Sequence, residues 1–225
     1  MFRTFALACV ASIAAALDAV ECAFQPNEHF ISSLPYFRAD QQLPCMFSGT
    51  FPVNADETHH MFYWMHTNDN VDAPLMIYMN GGPGASSMFA NFLLNGPLRI
   101  NHGSGPDDYS VYLNPEGSWS DTVHLVFVDQ PIGTGFSYGE PLNTTMEQTS
   151  EEFVNFFHKL YEMYPQFVGR DLYIAGESYA GKYVPRYTYA LLKENEKLGS
   201  RKFNIKSSFM GDPYTAPLTQ RTHMY

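Results

Sequence analysis

Of the residues in this sequence, Ser178 lies in the surroundings that best suit a catalytic role. It lies in the run GESYAG at positions 176–181, directly after the short apolar stretch LYIA at 172–175. A serine between small residues at a strand-to-helix corner is the layout of a nucleophile elbow, in which a strained turn lifts the hydroxyl clear of the sheet. Alanine replaces the last glycine of the usual G-x-S-x-G pattern. Taken alone, the run is equally consistent with a Gly-rich corner that carries an ordinary serine.

Backbone N–H groups near this serine could stabilise negative charge. Tyr179 would begin the helix after the elbow, which places its N–H beside the oxygen that gains charge during acyl transfer. A second Gly-rich run, NGGPGASS at 80–87, precedes a predicted apolar helix over 88–94. Such a loop exposes N–H groups at a helix start, where an anion can bind, although a tight turn is its simplest interpretation. The run lacks the lysine of a phosphate-binding loop, which disfavours nucleotide binding.

A third loop, DQPIGTGFSY at 129–138, follows an apolar stretch over 123–128. In an open α/β sheet, ligands bind beyond the carboxyl ends of the strands, so this loop is predicted to lie near the site. Asp129 is a carboxylate that could be mistaken for a catalytic acid. We interpret it as a group that fixes the backbone of the loop.

The elements that must position these loops alternate between strand and helix, which predicts an α/β fold with a mixed sheet. We predict strands over 46–53, 60–66, 74–79, 123–128, 172–175 and 203–210, the first of them an edge strand because it contains Gly49 and Pro52. The clearest helix covers 149–164, with Thr149 and Glu152 as a capping box. Pro185 predicts that the helix after the elbow is short or broken. The segment 101–119 is polar and turn-rich and is interpreted as a surface excursion, whereas 211–225 is predicted to lack a complete element.

The N-terminal stretch is predicted to be an export signal. Arg3 precedes an apolar stretch over 5–17, and small residues follow over 14–23. Ala16 or Cys22 could be the last residue removed, which assigns 1–22 to the signal and 23–225 to the globular domain. A buried N-terminal helix is the alternative. The apolar stretch is too short to cross a bilayer, and no later one is long enough, so we expect no membrane span.

Composition excludes several classes of function. The chain has 225 residues, a net charge of -10 and no basic cluster, which argues against nucleic-acid binding. Cys45 is expected to be the one thiol certain to remain after processing, and no cysteine pair has metal-ligand spacing. The adjacent His59 and His60 are interpreted as a solvent-facing pair, and no metal or cofactor is predicted. Asn143 begins an N-T-T sequon, which predicts glycosylation if the chain enters the secretory pathway.

Taken together, the three loops resemble those of the serine carboxypeptidases, an α/β-hydrolase family. The matching patterns are NGGPGxSS at 80–87, DQPxGxGFSY at 129–138, and GESYAG at 176–181 with YVP at 183–185. Shorter matches include LP at 34–35, FYW at 62–64 and SW at 118–119. The resemblance covers nearly all of the chain after the signal, and it favours the catalytic interpretation of the elbow.

The resemblance implies a role for each matching residue. Ser178 would be the acylated nucleophile, and the N–H groups of Gly82 and Tyr179 would form the oxyanion hole. The substrate's terminal carboxylate would bind the residues that match the family's carboxylate site, namely Asn80, Gly81 and Glu177. Two adjoining carboxyl groups must share a proton, which favours peptide hydrolysis at acidic pH. The substrates would be peptide or protein C-termini, and the compartment lysosome-like, vacuolar or extracellular.

Three positions depart from the family pattern. Tyr78 stands where the family has tryptophan, and Ala85 stands where it often has a disulfide-bonded cysteine. Leu94 replaces a glutamate that helps hold the carboxylate network. Because leucine forms no hydrogen bonds, carboxylate recognition or its pH dependence is expected to differ.

The triad partners of Ser178 are expected beyond this sequence, because the family has its acid and histidine, in that order, after the serine. Asp212 and His223 have the right order, but no predicted strands carry them. The implied fold is an α/β-hydrolase with a central mixed, mostly parallel sheet that is truncated after the elbow and the following strand. The chain would then be the N-terminal part of a serine carboxypeptidase, completed by later residues or by a second chain that carries Asp and His.

Two alternatives stay open at this stage. The first is a catalytically inactive, truncated product that binds peptides or proteins. The second is an esterase or acyltransferase on the same scaffold, which Asn80 and Glu177 disfavour because they suit a substrate that ends in a carboxylate.

Overall fold

The fold is a six-stranded sheet with helices on both faces. A computed structural model describes residues 22–102, 109–143 and 145–223. The strands of the main sheet are β1 (Met46–Pro52), β2 (His60–His66), β3 (Leu75–Met79), β6 (His124–Val128), β7 (Asp171–Glu177) and β8 (Asn204–Gly211). A separate antiparallel pair is formed by β4 (Leu98–His102) and β5 (Tyr109–Leu113). The helices are α1 (Met88–Leu93), α2 (Met146–Met163), α3 (Ala180–Leu198) and α4 (Pro217–Thr222).

The strand order confirms the predicted mixed, mostly parallel sheet. Across the sheet the order is β1-β2-β6-β3-β7-β8. The β1–β2 and β2–β6 pairs are antiparallel, whereas β6, β3, β7 and β8 run parallel to one another. Because parallel strands end at the same edge, the loops after β3, β6 and β7 lie together. These are the three loops that the sequence singled out.

Each face of the sheet has its own hydrophobic cluster. The larger cluster lies under α2 and α3, and it includes the fully buried rings of Phe153, Phe156 and Phe157. The smaller one lies under α1, around Phe127 and Leu125. Every residue of β6 is buried, as expected for a central strand covered on both faces. Helix packing therefore fixes the central strands whose ends carry the site.

The predicted strands are confirmed, but the expectations for α2, α3 and the segment 211–225 were wrong. Helix α2 begins at Met146, and its capping box is formed by Thr145 and Gln148 rather than by Thr149 and Glu152. Helix α3 continues through Pro185 without a break. The segment 101–119 contains the end of β4 and all of β5, and 211–225 contains α4.

Packing explains why α3 tolerates its proline. The first turn is tight, with the N–H groups of Gly181 and Lys182 donating to the carbonyls of Ser178 and Tyr179. Pro185 removes one donor from the next turn. Helix α3 nevertheless buries Val184 and Tyr187 completely, and this apolar contact outweighs one lost hydrogen bond.

Cysteine usage also differs from the expectation. Cys45 is not a free thiol, because it forms a disulfide with Cys22, with a Cα–Cα distance of 5.1 Å. Cys45 is buried, and Cys22 packs against the larger cluster. The sequence could not reveal this pair, because no helix or strand lies between Cys22 and Cys45 that would show how close they come.

Candidate active site

The elbow is built where β7 passes into α3. Ser178 is exposed and has φ of 59°, a left-handed conformation that is strained for a residue with a side chain. Two backbone hydrogen bonds hold it there: Ser178 N–H donates to the Gly211 carbonyl at 2.9 Å, and Tyr214 N–H donates to the Ser178 carbonyl at 2.8 Å. The strained turn raises the hydroxyl above the sheet edge. This is the conformation that the nucleophile elbow requires.

Small residues let the strand and helix of the elbow cross closely. A Cβ added at Gly176 would lie 2.6 Å from the Cβ of Ala180 and 2.6 Å from the Met79 carbonyl oxygen. Glycine is therefore required at this position by close approach. The alanine at the last place of the motif is accommodated because Gly176 supplies the space on the facing strand.

The Gly-rich loop after β3 lies directly against the elbow. A Cβ added at Gly81 would be 2.4 Å from the backbone nitrogen of Tyr179. Gly82 has φ of 106° and lines the same cavity as Ser178 and Tyr179. Among the described residues, the N–H groups of Gly82 and Tyr179 donate no hydrogen bond. Two unpaired donors next to a serine hydroxyl are what an oxyanion hole needs.

Asn80 and Glu177 meet at the ends of the adjacent strands β3 and β7. The Asn80 side chain is buried, and its Nδ2 donates to Glu177 Oε1 at 2.9 Å. Its Oδ1 accepts from the Ala90 N–H at 3.3 Å, which fixes the direction of the amide. The Asn80 N–H donates to Ser87 Oγ at 3.1 Å. A carboxyl group and an amide are thus held together beside Ser178.

Two of the residues that depart from the family pattern, Tyr78 and Leu94, lie in different surroundings. Burial raises the pKa of Tyr78 to about 12, and the charge of Glu177 contributes in the same direction. The Tyr78 ring packs edge-on against Trp119, with ring centroids 5.7 Å apart. Leu94 follows α1 and is 41% exposed. Tyr78 therefore fills a packed apolar position next to the carboxyl group, whereas the side chain of Leu94 has no polar group to offer.

Asp129 fixes the third loop, as predicted. Its carboxylate is fully buried and accepts hydrogen bonds from Ser86 Oγ at 2.8 Å and Ser87 N–H at 2.7 Å. Its second oxygen accepts from Phe136 N–H at 2.9 Å. Burial raises the pKa of Asp129, while these donors oppose the increase. Asp129 joins the loops after β3 and β6, and all its described contacts are structural.

Asp212 and His223 do not form a triad with Ser178. Both line the cavity beside the serine, which has a volume of 880 Å³. The imidazole Nδ1 of His223 instead contacts the Thr219 carbonyl at 2.9 Å and Thr222 Oγ1 at 3.0 Å, within its own helix. Within residues 22–102, 109–143 and 145–223, the Ser178 hydroxyl forms no hydrogen bond to an imidazole. The described site thus holds an exposed serine and two unpaired N–H donors, and no imidazole contacts the serine hydroxyl.

A second polar cluster contradicts the expectation of a solvent-facing His59. His59 is buried, and its Nδ1 contacts Glu152 Oε1 at 2.5 Å. The other oxygen of Glu152 accepts from the side-chain amide of Asn143, the residue of the predicted sequon. His60 is more exposed, and its ring stacks on Tyr138 at 4.8 Å. His59 is buried because Glu152, on α2, provides the partner that it lacks in the local sequence.

This cluster gives a pH-dependent prediction. Burial raises the pKa of Glu152 above its ordinary value of 4.5, although His59 and Asn143 oppose the increase. At pH values between the pKa of Glu152 in the unfolded state and its higher pKa in the folded state, the folded state binds a proton that the unfolded state has lost. The free energy of unfolding should therefore fall as the pH rises through that interval. Glu152→Gln should remove this contribution.

Urea denaturation between pH 4 and pH 6 checks the prediction. The difference in the free energy of unfolding, wild type minus Glu152→Gln, should decrease as the pH rises. Glu116→Gln, at an exposed position away from Glu152, serves as the control and should track the wild type. A difference that stays constant or increases with pH would show that burial does not raise the pKa of Glu152.

His158, on α2, makes only structural contacts in the described part of the chain. His158 is packed rather than catalytic: its Nε2 contacts Glu194 Oε1 at 3.2 Å, and its Nδ1 accepts from Lys202 Nζ at 2.9 Å. In the described part of the chain, no cluster of three His, Cys, Asp or Glu side chains could hold a metal ion. None of its helices is long and apolar enough to cross a membrane.

The chain is similar to known carboxypeptidases in both sequence and structure. Residues 38–225 match the family described as serine carboxypeptidase. The pheromone-processing carboxypeptidase KEX1 of Candida albicans is 35% identical over 203 residues, which cover 86% of this chain and 28% of the relative. The Phaeosphaeria nodorum protein of the same name is 33% identical over 226 residues, covering 97% of this chain and 34% of the relative.

A solved structure shows the same fold. The crystal structure of Kex1(Δ)p, a prohormone-processing carboxypeptidase from Saccharomyces cerevisiae, has a TM-score of 0.70 and 32% identity to this chain. The match covers 79% of this chain and 40% of the solved one. The chain therefore spans less than half the length of the relatives named here. The α/β-hydrolase fold is confirmed, and the chain belongs to the serine carboxypeptidase family.

Proposed function

We propose that the protein is a serine-type carboxypeptidase that releases C-terminal residues from peptides through an acyl-enzyme on Ser178. One observation carries the proposal: the elbow serine lies beside the Asn80–Glu177 pair, at the ends of two adjacent parallel strands. A serine alone would suit many acyl transfers. A serine next to a carboxyl–amide pair suits a substrate whose scissile bond is followed directly by a free carboxylate.

The reaction follows from the positions of the donors. Ser178 Oγ attacks the carbonyl carbon of the last peptide bond, and the developing oxyanion accepts hydrogen bonds from the N–H groups of Gly82 and Tyr179. The C–N bond then breaks, the leaving amine takes up a proton, and water hydrolyses the serine ester. Loss of one such donor typically lowers the rate about 100-fold or more.

The carboxylate site would select the end of the chain. Asn80 Nδ2 and the Gly81 N–H donate to the substrate carboxylate, and Glu177 shares a proton with it. Sharing requires one of the two carboxyl groups to be protonated, so peptide hydrolysis is favoured at acidic pH. An acidic lysosome-like or vacuolar compartment, reached through the secretory pathway, suits this requirement better than the extracellular space.

We place the triad Asp and His outside the present sequence, in later residues of the same polypeptide or in a second chain. Two observations support this placement. The present chain covers 28% of the Candida albicans relative, and the described residues bring no imidazole into contact with Ser178. The base would deprotonate Ser178 and later return the proton to the leaving amine.

Recognition of the carboxylate gives a direct test. In the product of the complete open reading frame, Asn80→Leu should lower kcat/KM for a peptide with a free C-terminal carboxylate by about 10- to 100-fold, the value of a hydrogen bond to a charged group. Hydrolysis of the matching peptide amide should be unaffected, which separates recognition from folding. Equal losses on the two peptides would contradict the proposed carboxylate site.

Asn143 is proposed to carry an N-linked glycan. Its side chain is half-buried, and its amide donates to Glu152. A glycan replaces one of the two Nδ2 hydrogens, and the other can still donate to that carboxylate. Asn143→Gln should therefore reduce the mass of the secreted protein by one glycan. Thr145→Ser, which keeps both the sequon and the helix cap, should leave the glycan in place. An unmodified Asn143 peptide from the wild type would overturn this assignment.

A further inference from the structure

The first described residues of the chain form a covalently attached segment on the sheet. Cys22, at the start of this segment, is bonded to Cys45, the residue immediately before β1. Their Cα–Cα distance of 5.1 Å is within the range found for disulfides. We refer to residues 22–31 as the N-terminal segment.

Side chains of the N-terminal segment belong to the core. Phe24 is 7% exposed, and its ring lies 5.0 Å from that of His124 and 5.5 Å from that of Phe167. These neighbours come from β6 and from the turn after α2. Phe24 therefore contacts two parts of the chain that are distant from it in sequence. Removing it would expose these rings to water.

The backbone of the segment pairs with β1, the edge strand of the main sheet. Ile31 N–H donates to the Met46 carbonyl at 3.0 Å, and Ser48 N–H donates to the His29 carbonyl at 2.8 Å. These contacts cover part of an edge that would otherwise expose unpaired groups. The sequence singled out Gly49 as a mark of an edge strand, and the N-terminal segment explains why glycine is there.

His29 fills the space that Gly49 leaves. A Cβ added at Gly49 would lie 2.5 Å from the His29 ring. The ring Nδ1 is hydrogen-bonded to the Tyr63 hydroxyl at 2.7 Å. Because Tyr63 is fully buried, this contact ties the segment to the second strand as well as the first.

We infer that the export signal is cleaved before Cys22, at the Ala16–Leu17 bond, and that the mature protein keeps the Cys22–Cys45 disulfide. Cleavage after Cys22 would remove one sulfur of the pair and leave Cys45 as a buried free thiol. It would also place a charged N-terminus one residue before the buried Phe24. Ala14 and Ala16 provide the small residues that an upstream cleavage site requires.

Two covalent steps produce the mature, cross-linked chain. Water adds across the Ala16–Leu17 peptide bond and gives a carboxylate and a new α-amino group. The two thiols then exchange with the disulfide of a secretory-pathway oxidoreductase. The Sγ–Sγ bond forms as the two thiol protons and two electrons pass to the oxidoreductase, which leaves as a dithiol.

Peptide mapping of the secreted product of the complete open reading frame tests the inference. Free thiols are first alkylated, and the protein is digested without reduction. We expect an N-terminal peptide that begins at Leu17 and contains Cys22 linked to Cys45. A mature N-terminus at Ala23 would overturn the cleavage site. Alkylated Cys22 and Cys45 would overturn the disulfide.

A stability comparison tests the same bond independently. Cys22→Ala and Cys45→Ala should each lower Tm by about 5–10 °C, because each removes the same cross-link. The double variant should lose no more than either single variant, and a reductant should lower the Tm of the wild type alone. Cys9→Ala, within the cleaved signal, should leave the mature protein unchanged. Additive losses from the two single variants would overturn the bond.

Discussion

Replacing Ser178 with alanine is expected to lower kcat/KM for peptide hydrolysis by about 10⁴-fold or more. In the proposed reaction, Ser178 Oγ is the atom that forms the acyl-enzyme, and neither the proposed oxyanion donors nor the proposed carboxylate site can replace it. The residual rate should come from binding and from the two N–H donors. The assay is hydrolysis of a peptide with a free C-terminus by the product of the complete open reading frame, with the liberated amino acid as the readout.

The matched control is Ser200→Ala, at an exposed serine that follows α3. Both variants should have the Tm of the wild type within about 1 °C, because neither hydroxyl contributes to the core. Ser200→Ala should also retain full activity. A Ser178→Ala variant with more than about one-tenth of the wild-type kcat/KM would exclude Ser178 as the nucleophile.

The second large effect is expected at Gly81. In Gly81→Ala, the added Cβ would lie 2.4 Å from the Tyr179 nitrogen and 2.7 Å from the Glu177 carbonyl oxygen. These are backbone atoms of the elbow, so the loop and the elbow must move apart. The expected cost is about 1–3 kcal/mol of the free energy of unfolding. A shift of the oxyanion donors by about 1 Å should lower kcat by about 100-fold.

Gly211→Ala is the matched control for backbone crowding. A Cβ at Gly211 would meet only the Cβ of Glu177, at an ordinary contact distance of 3.8 Å. In urea denaturation and single-turnover hydrolysis, Gly81→Ala should therefore lower the free energy of unfolding and the rate, whereas Gly211→Ala should change neither. If Gly81→Ala kept both the stability and the kcat of the wild type, the close approach of the two loops would not be a requirement of the site.

The parts of the fold that could be predicted were those with a strong local signal. The strands over 60–66 and 123–128 are short apolar runs, and both were predicted to within one residue. The role of Asp129 was predictable because a carboxylate between a buried strand and a glycine-punctuated loop has backbone donors nearby. The three loops meet because the strands before them are parallel and adjacent.

The parts that could not be predicted depend on contacts between distant residues. His59 and Glu152 lie on different elements, and neither side chain has a local partner that would predict burial. The Cys22–Cys45 bond joins residues separated by 23 positions. The start of α2 was misplaced because two Thr-x-x-Glu/Gln patterns follow one another there, and the first, Thr145 and Gln148, caps the helix. Pro185 was misjudged because tertiary packing of α3 outweighs its local effect.

We propose that Ser178 is an activated nucleophile in the native protein. The most direct measurement is labelling of the native product of the complete open reading frame with a fluorophosphonate, followed by mass mapping of the modified peptide. We predict one label per molecule, on the peptide that contains Ser178, and no label after denaturation or in Ser178→Ala. A native protein that stays unlabelled, or that is labelled on another residue, would contradict the account.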